Sequence, residues 1–127
     1  MSAPSSFRKA LIGVGVDLVE IERAGRLVKN HPDGIRRFLN PSEARLLAAA
    51  RNKPLAFALI FAAKEAASKA AGQPLNSPGM FRPFRVSIQS RRLSVRWSAP
   101  KGARTRFSLV PFTWKNLIGM VAFCYST

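Results

Sequence analysis

Asp17, Glu65 and Lys69 are the residues whose types and positions could do chemistry together. Asp17 interrupts an apolar run, Leu11, Ile12, Val14, Val16, Leu18 and Val19, that reads as a buried strand over Ala10 to Val19. A carboxylate there must be hydrogen-bonded, ion-paired or bound to metal, because burying it alone is very unfavourable. The plainer alternative is that Asp17 ends the strand and caps the helix after it. Glu65 and Lys69 are four residues apart in Phe61-Ala62-Ala63-Lys64-Glu65-Ala66-Ala67-Ser68-Lys69. They share one face of a helix, and Lys64 projects to one side of it. Alone, this is a common helix pair that stabilises by ~0.2–0.5 kcal/mol. Together, two carboxylates from separate elements with lysines beside them can hold a hard divalent ion and a pyrophosphate. Magnesium takes one or two protein carboxylates and completes its shell with phosphate oxygens and water, and lysine serves phosphate as a point charge. Such a set supports displacement at phosphorus, where positioning and charge stabilisation supply most of the catalysis.

The elements that must position these residues follow from the pattern. Glycines 13 and 15 inside the first strand permit close backbone approach or a bulge. Ile21 to Asn30 is helix-like, with Ile21, Ala24, Leu27 and Val28 on one face, and His31-Pro32-Asp33-Gly34 is expected to break it. Asn40-Pro41-Ser42-Glu43 has a capping residue, a proline at the first position and an acid at the third, so a helix is expected to about Ala50. A second helix is expected from about Leu55 to Ala71, stopped by Gly72 and apolar on all sides over Leu55–Ala63, hence buried. Gln73 to Pro83 reads as a turn-rich loop. The period then becomes two: Phe84, Val86, Ile88; Leu93, Val95, Trp97; Phe107, Leu109. Leu117 to Tyr125 reads as a last buried strand. Strand, helices, then strands make an α+β domain, with helices packed on an antiparallel sheet. Trp97, Phe107 and Phe112 are expected on a core face.

The chain of 127 residues suits one domain over 1–127, with 1–7 as a loose tail. Hydrophobic residues form 47% of it, too many for a disordered chain. The 21 Lys and Arg against 6 Asp and Glu give a formal charge of +15, and no acid follows Glu65. Such a field attracts polyanions of any kind: nucleic acid, a phosphorylated cofactor, an acidic protein or an anionic membrane. Arg85, Arg96 and Arg106 fall on polar strand faces, with Arg91 and Arg92 at a turn; a solvated face and a polyanion-docking face both fit. One His and one Cys exclude a structural zinc site and an intrachain disulfide. His31 is assigned to the surface and Cys124 to the core. The run Ala10–Val16 is too short for a signal segment, and no apolar stretch is long enough to cross a membrane. A soluble cytoplasmic protein is expected.

Ile12-Gly13-Val14-Gly15-Val16-Asp17-Leu18-Val19-Glu20-Ile21-Glu22-Arg23 resembles the N-terminal motif of holo-acyl-carrier-protein synthases, the small form of the 4'-phosphopantetheinyl transferase family. Phe38-Leu39 followed by Ser42-Glu43 is similar to their next segment. Phe61 to Ala70 resembles their signature helix: an aromatic, two residues, Lys-Glu-Ala, then a lysine four after the Glu. The resemblance covers roughly residues 11–72. It implies an α+β fold, assembly as a homotrimer, and magnesium-dependent transfer of the phosphopantetheine arm of coenzyme A to a serine of an acidic acyl carrier protein of fatty-acid or polyketide synthesis. It implies that Asp17 and Glu65 are metal ligands and that Glu65 helps activate the serine. Lys69 would stabilise charge on the phosphates; Lys64 and Arg23 would bind coenzyme A phosphates or the carrier. The chain departs from the pattern at Ile60, where members usually carry a base. It departs again at Pro100–Arg104, too short for the helix members place between later strands, and at Pro111–Asn116 before the last strand.

The second reading is a basic binding module on the same fold, holding an acidic protein or nucleic acid without turnover. Two acids in a basic surface favour the enzyme, since a nucleic-acid module gains nothing from them; neither nucleic acid nor a membrane is the expected partner.

Overall fold

The computed structural model describes residues 10–73, 78–98 and 105–126; the expectations for 1–7 and Pro100–Arg104 fall outside the described residues. Strand β1 (Leu11–Glu20) leads into helices α1 (Ile21–Asn30), α2 (Pro32–Phe38), α3 (Pro41–Ala49) and α4 (Lys53–Ala70). A 3₁₀ turn at Pro78–Phe81 precedes β2 (Phe84–Gln89), β3 (Arg92–Trp97), β4 (Thr105–Trp114) and β5 (Leu117–Ser126). The fold is α+β, as expected, but its strands form two antiparallel sheets. β1, β5 and β4 make one in that order, and β2 and β3 make a separate hairpin. The hairpin packs beside β4 through aromatic rings: Phe84 stacks on Trp97 at 5.3 Å and meets Phe107 edge-on at 6.3 Å.

The two faces of β1 reverse the simplest expectation for an apolar strand. Ile12, Val14, Val16 and Leu18 are 49–60% exposed on the outer face, while Gly13, Gly15, Asp17 and Val19 turn inward. The reason is α4. A Cβ on Gly13 would overlap the carbonyl oxygen of Ala70, and one on Gly15 would overlap that of Ala66. Helix and strand therefore touch backbone to backbone, with Ala62, Ala63, Ala66, Ala67 and Ala70 buried on the helix side. On β5, Ile118, Met120, Ala122 and Cys124 complete the inner face and are wholly buried. Cys124 is thus a core residue, and burial pushes its thiol pKa up.

Local signals explain the helices. α3 begins with a full capping box: the Asn40 side chain accepts from the Glu43 backbone and the Glu43 side chain accepts from the Asn40 backbone. α4 starts earlier than the apolar run suggests, because Asn52 caps it by accepting from Leu55 N at 3.0 Å. It ends in a Schellman motif, with Gly72 at φ 70°, Gly72 N donating to Lys69 O and Gln73 N to Ser68 O. The expected break at His31–Gly34 shrinks to His31 alone, since Pro32 is well suited to the first position of a new helix, α2. His31 is exposed. Phe112 is the other correction. It lies five residues after Phe107, an odd number, so it falls on the opposite face of β4, where its ring covers Gly119. β4 runs through Pro111 to Trp114, and as an edge strand it tolerates the proline.

Gly15→Ala should lower stability by about 1–3 kcal/mol in urea unfolding, because backbone atoms of α4 stand where the methyl must go. Gly34→Ala, in open space inside α2, should instead raise it by roughly 0.5–1 kcal/mol. Equal effects would refute the close β1–α4 contact.

Candidate active site

The contact between β1 and α4 places Asp17 beside Lys69. The Lys69 ammonium donates to the Val16 carbonyl at 3.0 Å and to Asp17 Oδ1 at 3.2 Å. Lys69 is 50% exposed at its side chain and Asp17 only 13%, so the lysine reaches in from solvent over a sunken carboxylate. Asp17 Oδ2 is buried and has no hydrogen-bond partner. Asp17 does not cap α1: that position belongs to Glu20, whose side chain makes no capping bond.

Glu65 completes the group from the next turn of α4. Burial pushes its pKa above the ordinary carboxylate value, the negative Asp17 pushes it further, and Lys69 pulls it back. Burial also raises Asp17, against the hydrogen bond and charge of Lys69 and a backbone hydrogen bond from Leu18. Two carboxylates that repel, one with an unpartnered buried oxygen, and a lysine at the rim fit a divalent cation bound with external oxygens. No cluster of three or more metal-binding side chains exists among the described residues, so phosphate and water oxygens would have to complete its shell. Asp17 and Glu65 are the residues that could hold it.

Lys64 goes elsewhere. It is wholly buried, paired with Glu43 at 2.5 Å and donating to the Phe38 carbonyl at 3.0 Å, with its ammonium 4.8 Å from the Phe38 ring centre. Burial lowers its pKa and Glu43 opposes that. Glu43 is itself fully engaged: Oε1 accepts from Asn40 N at 3.0 Å and Oε2 from Val86 N at 2.6 Å. The expected contact of Lys64 with coenzyme A or a carrier is therefore corrected; its ammonium faces the core and ties α4 to α3 and β2. The sequence showed Glu43 as part of a cap but not as the partner of Lys64, because nothing local links positions 21 residues apart. Ile60 is likewise wholly buried.

Arg23 is exposed on the first turns of α1, at the edge of a cleft of about 330 Å³ lined by Leu18, Ala24, Leu27, Phe57 and Phe61 among others. Phe61 is one helical turn before Glu65 and Leu18 follows Asp17 in the chain, so the lining of this mostly apolar cleft includes neighbours of both carboxylate residues.

The model of the 4'-phosphopantetheinyl transferase superfamily matches residues 13–113. The chain belongs to that superfamily. The relatives it matches are holo-acyl-carrier-protein synthases. It is 43% identical to the holo-[acyl-carrier-protein] synthase of Wolinella succinogenes over 74 residues, 58% of this chain and 59% of that protein. The synthase of Aliivibrio fischeri is 37% identical over 79 residues, 61% of this chain and 63% of that one. The chain thus spans somewhat under two thirds of the curated relatives it matches. Structural likeness runs further. The solved synthase of Neisseria meningitidis superposes with a TM-score of 0.72 at 25% identity, over 93% of this chain and 99% of that one. The Helicobacter pylori synthase, solved in complex with coenzyme A, gives 0.71 at 26% identity, over 87% and 98%. The structural likeness therefore covers more of the chain than the family model's residues 13–113.

Two outcomes test the site's electrostatics. Glu65→Gln should match the parent in thermal stability near pH ~4 and exceed it by about 1–3 °C at neutral pH. A carboxylic acid with a raised folded pKa contributes stability at low pH that is lost as pH rises through that pKa, and the amide loses none. A Gln variant that is less stable at neutral pH would contradict the assignment. Lys64→Met should cost roughly 3–5 kcal/mol in urea unfolding, because it leaves the Glu43 carboxylate buried without a counter-ion.

Proposed function

We propose that this chain transfers the 4'-phosphopantetheine arm of coenzyme A to a serine of an acidic acyl carrier protein, with magnesium held by Asp17 and Glu65. The observation that carries the reading is the buried, unpartnered Asp17 oxygen beside Glu65 and beneath Lys69. Bound magnesium supplies positive charge to the pyrophosphate oxygens. Glu65 accepts the proton of the serine hydroxyl directly or through one water. The serine oxygen forms a bond to the phosphorus that carries the pantetheine arm, and the bond from that phosphorus to the departing 3',5'-ADP breaks. Lys69, half-exposed over the site, neutralises charge on the phosphates. Arg23 stands at the cleft edge, where it meets coenzyme A phosphates or acidic side chains of the carrier. Lys64 has a structural part.

The outer sheet face supports a homotrimer. Val14, Val16 and Leu18 of β1 lie in register, across β5, with Ser108, Val110 and Phe112 of β4, and Trp114 continues that face. Val16, Leu18, Val110, Phe112 and Trp114 are 43–62% exposed, a continuous apolar surface of the kind that marks an interface. Among the described residues no helix is long and apolar enough to cross a membrane. Use of coenzyme A and a single unpaired thiol suits the cytoplasm.

Incubation with coenzyme A, magnesium and a panel of apo carrier proteins should add phosphopantetheine, seen by mass spectrometry, and a chelator should abolish it. Asp17→Asn and Glu65→Gln should each cut transfer by roughly 10²–10³-fold while remaining folded. Full transfer by either variant, or transfer that ignores the chelator, would sink the proposed site. Val16→Asp should shift the sedimenting species from trimer toward monomer; an unchanged species would remove the outer face from the interface.

A further inference from the structure

Arg85 and Arg96 stand directly opposite one another in the β2–β3 hairpin, and both are exposed. Like charges in facing positions are destabilising, and a two-stranded hairpin has little stability of its own to lose. The same face continues with Ser87 opposite Ser94, their hydroxyl oxygens 2.7 Å apart, and Gln89 opposite Arg92. The other face carries Phe84, Val86, Val95 and Trp97 toward the core. The outward face is therefore built of guanidinium, hydroxyl and amide groups without one acid. The acid that reaches this hairpin, Glu43, bonds Val86 N from the core side. Glu43 is committed to Lys64 and Asp33 to Arg36, and no ion pair among the described residues includes Arg85 or Arg96. An open cleft of about 430 Å³ lies along Arg85, Ser87, Gln89, Ser94 and Arg96.

We propose that this hairpin face docks an acidic segment of another protein, whose carboxylates bridge Arg85 and Arg96. Facing residues of an antiparallel pair have Cα atoms about 5 Å apart, so the two guanidinium groups can converge on one carboxylate or take two neighbouring ones. The serine and glutamine side chains offer further donors along the same line. Charge complementarity would admit nucleic acid as well, but this face has no aromatic side chain on which bases could stack. The hairpin's aromatics, Phe84 and Trp97, stack on each other on the opposite face. The inference rests on the register and charge of the hairpin and is independent of the transferase reading.

The test uses the full chain at low salt and a fluorescent poly-L-glutamate peptide of about twenty residues, followed by anisotropy. Arg85→Gln with Arg96→Gln should weaken binding about tenfold or more. Arg45→Gln with Arg51→Gln removes the same charge from two exposed arginines elsewhere and should change it by less than about twofold. Relief of the facing charges should leave the hairpin variant at least as heat-stable as the parent, so a loss of binding cannot come from unfolding. Equal weakening in both variants would assign the binding to the summed field and overturn the proposal. So would an absence of binding to the parent. Oligothymidylate that displaces the peptide, and itself depends on Arg85 and Arg96, would make the face a nucleic-acid surface and overturn it too.

Discussion

The backbone-to-backbone contact between β1 and α4 is the constraint on which the site depends. Asp17 sits on the strand and Glu65 and Lys69 on the helix, so their meeting requires the two elements to approach closely. Side chains at positions 13 and 15 would hold them apart; glycines there and small alanines on α4 let Lys69 reach both Val16 O and Asp17. The cost is a strand whose larger apolar residues face outward. That exposed face becomes reasonable once other copies of the chain cover it, so the packing that builds the site also shapes the proposed assembly surface.

A second interaction fixes the helix from its far side. Lys64 and Glu43 form a wholly buried pair whose remaining bonds are satisfied by Phe38 O, Asn40 N and Val86 N. Such a pair gains little over an apolar core when intact, but it strongly penalises any arrangement that separates its members. It therefore specifies how α3, α4 and β2 sit together more than it stabilises them. Adjacent residues on α4 are thus put to opposite uses: Lys64 locks the core, and Glu65 stands near Asp17 with its carboxylate disfavoured by burial and by that charge. Burial raises the pKa of both Asp17 and Glu65, so the fold disfavours their ionised forms.

Several features were legible in the chain itself. The 3.6-residue and two-residue periods, the Asn40-Pro41-Ser42-Glu43 start and the Gly72 stop located most helices and strands, because caps and amphipathic patterns are local effects. The pairing of Asp17 with Glu65 and Lys69 was also legible, since an acid in an apolar strand and a Glu-to-Lys turn in an apolar helix each stand out against their surroundings. The charge pattern, with no acid after Glu65, pointed to anionic partners without choosing one.

Tertiary structure decided what local pattern could not. Which face of β1 is inside depends on the glycines meeting α4, a contact more than fifty residues distant in sequence, and hydropathy alone would have buried the wrong side. The fate of Lys64 depended on Glu43 arriving from another helix; without that partner a lysine beside a site residue reads as a substrate contact. The division into two sheets, and the position of Phe112 on the outer face, follow from β1 and β4 both pairing with β5. Sequence by itself determined the local elements and the chemical types available. Long-range packing determined which of those groups share a space, because burial and charge pairing are properties of neighbours that the chain brings together only on folding.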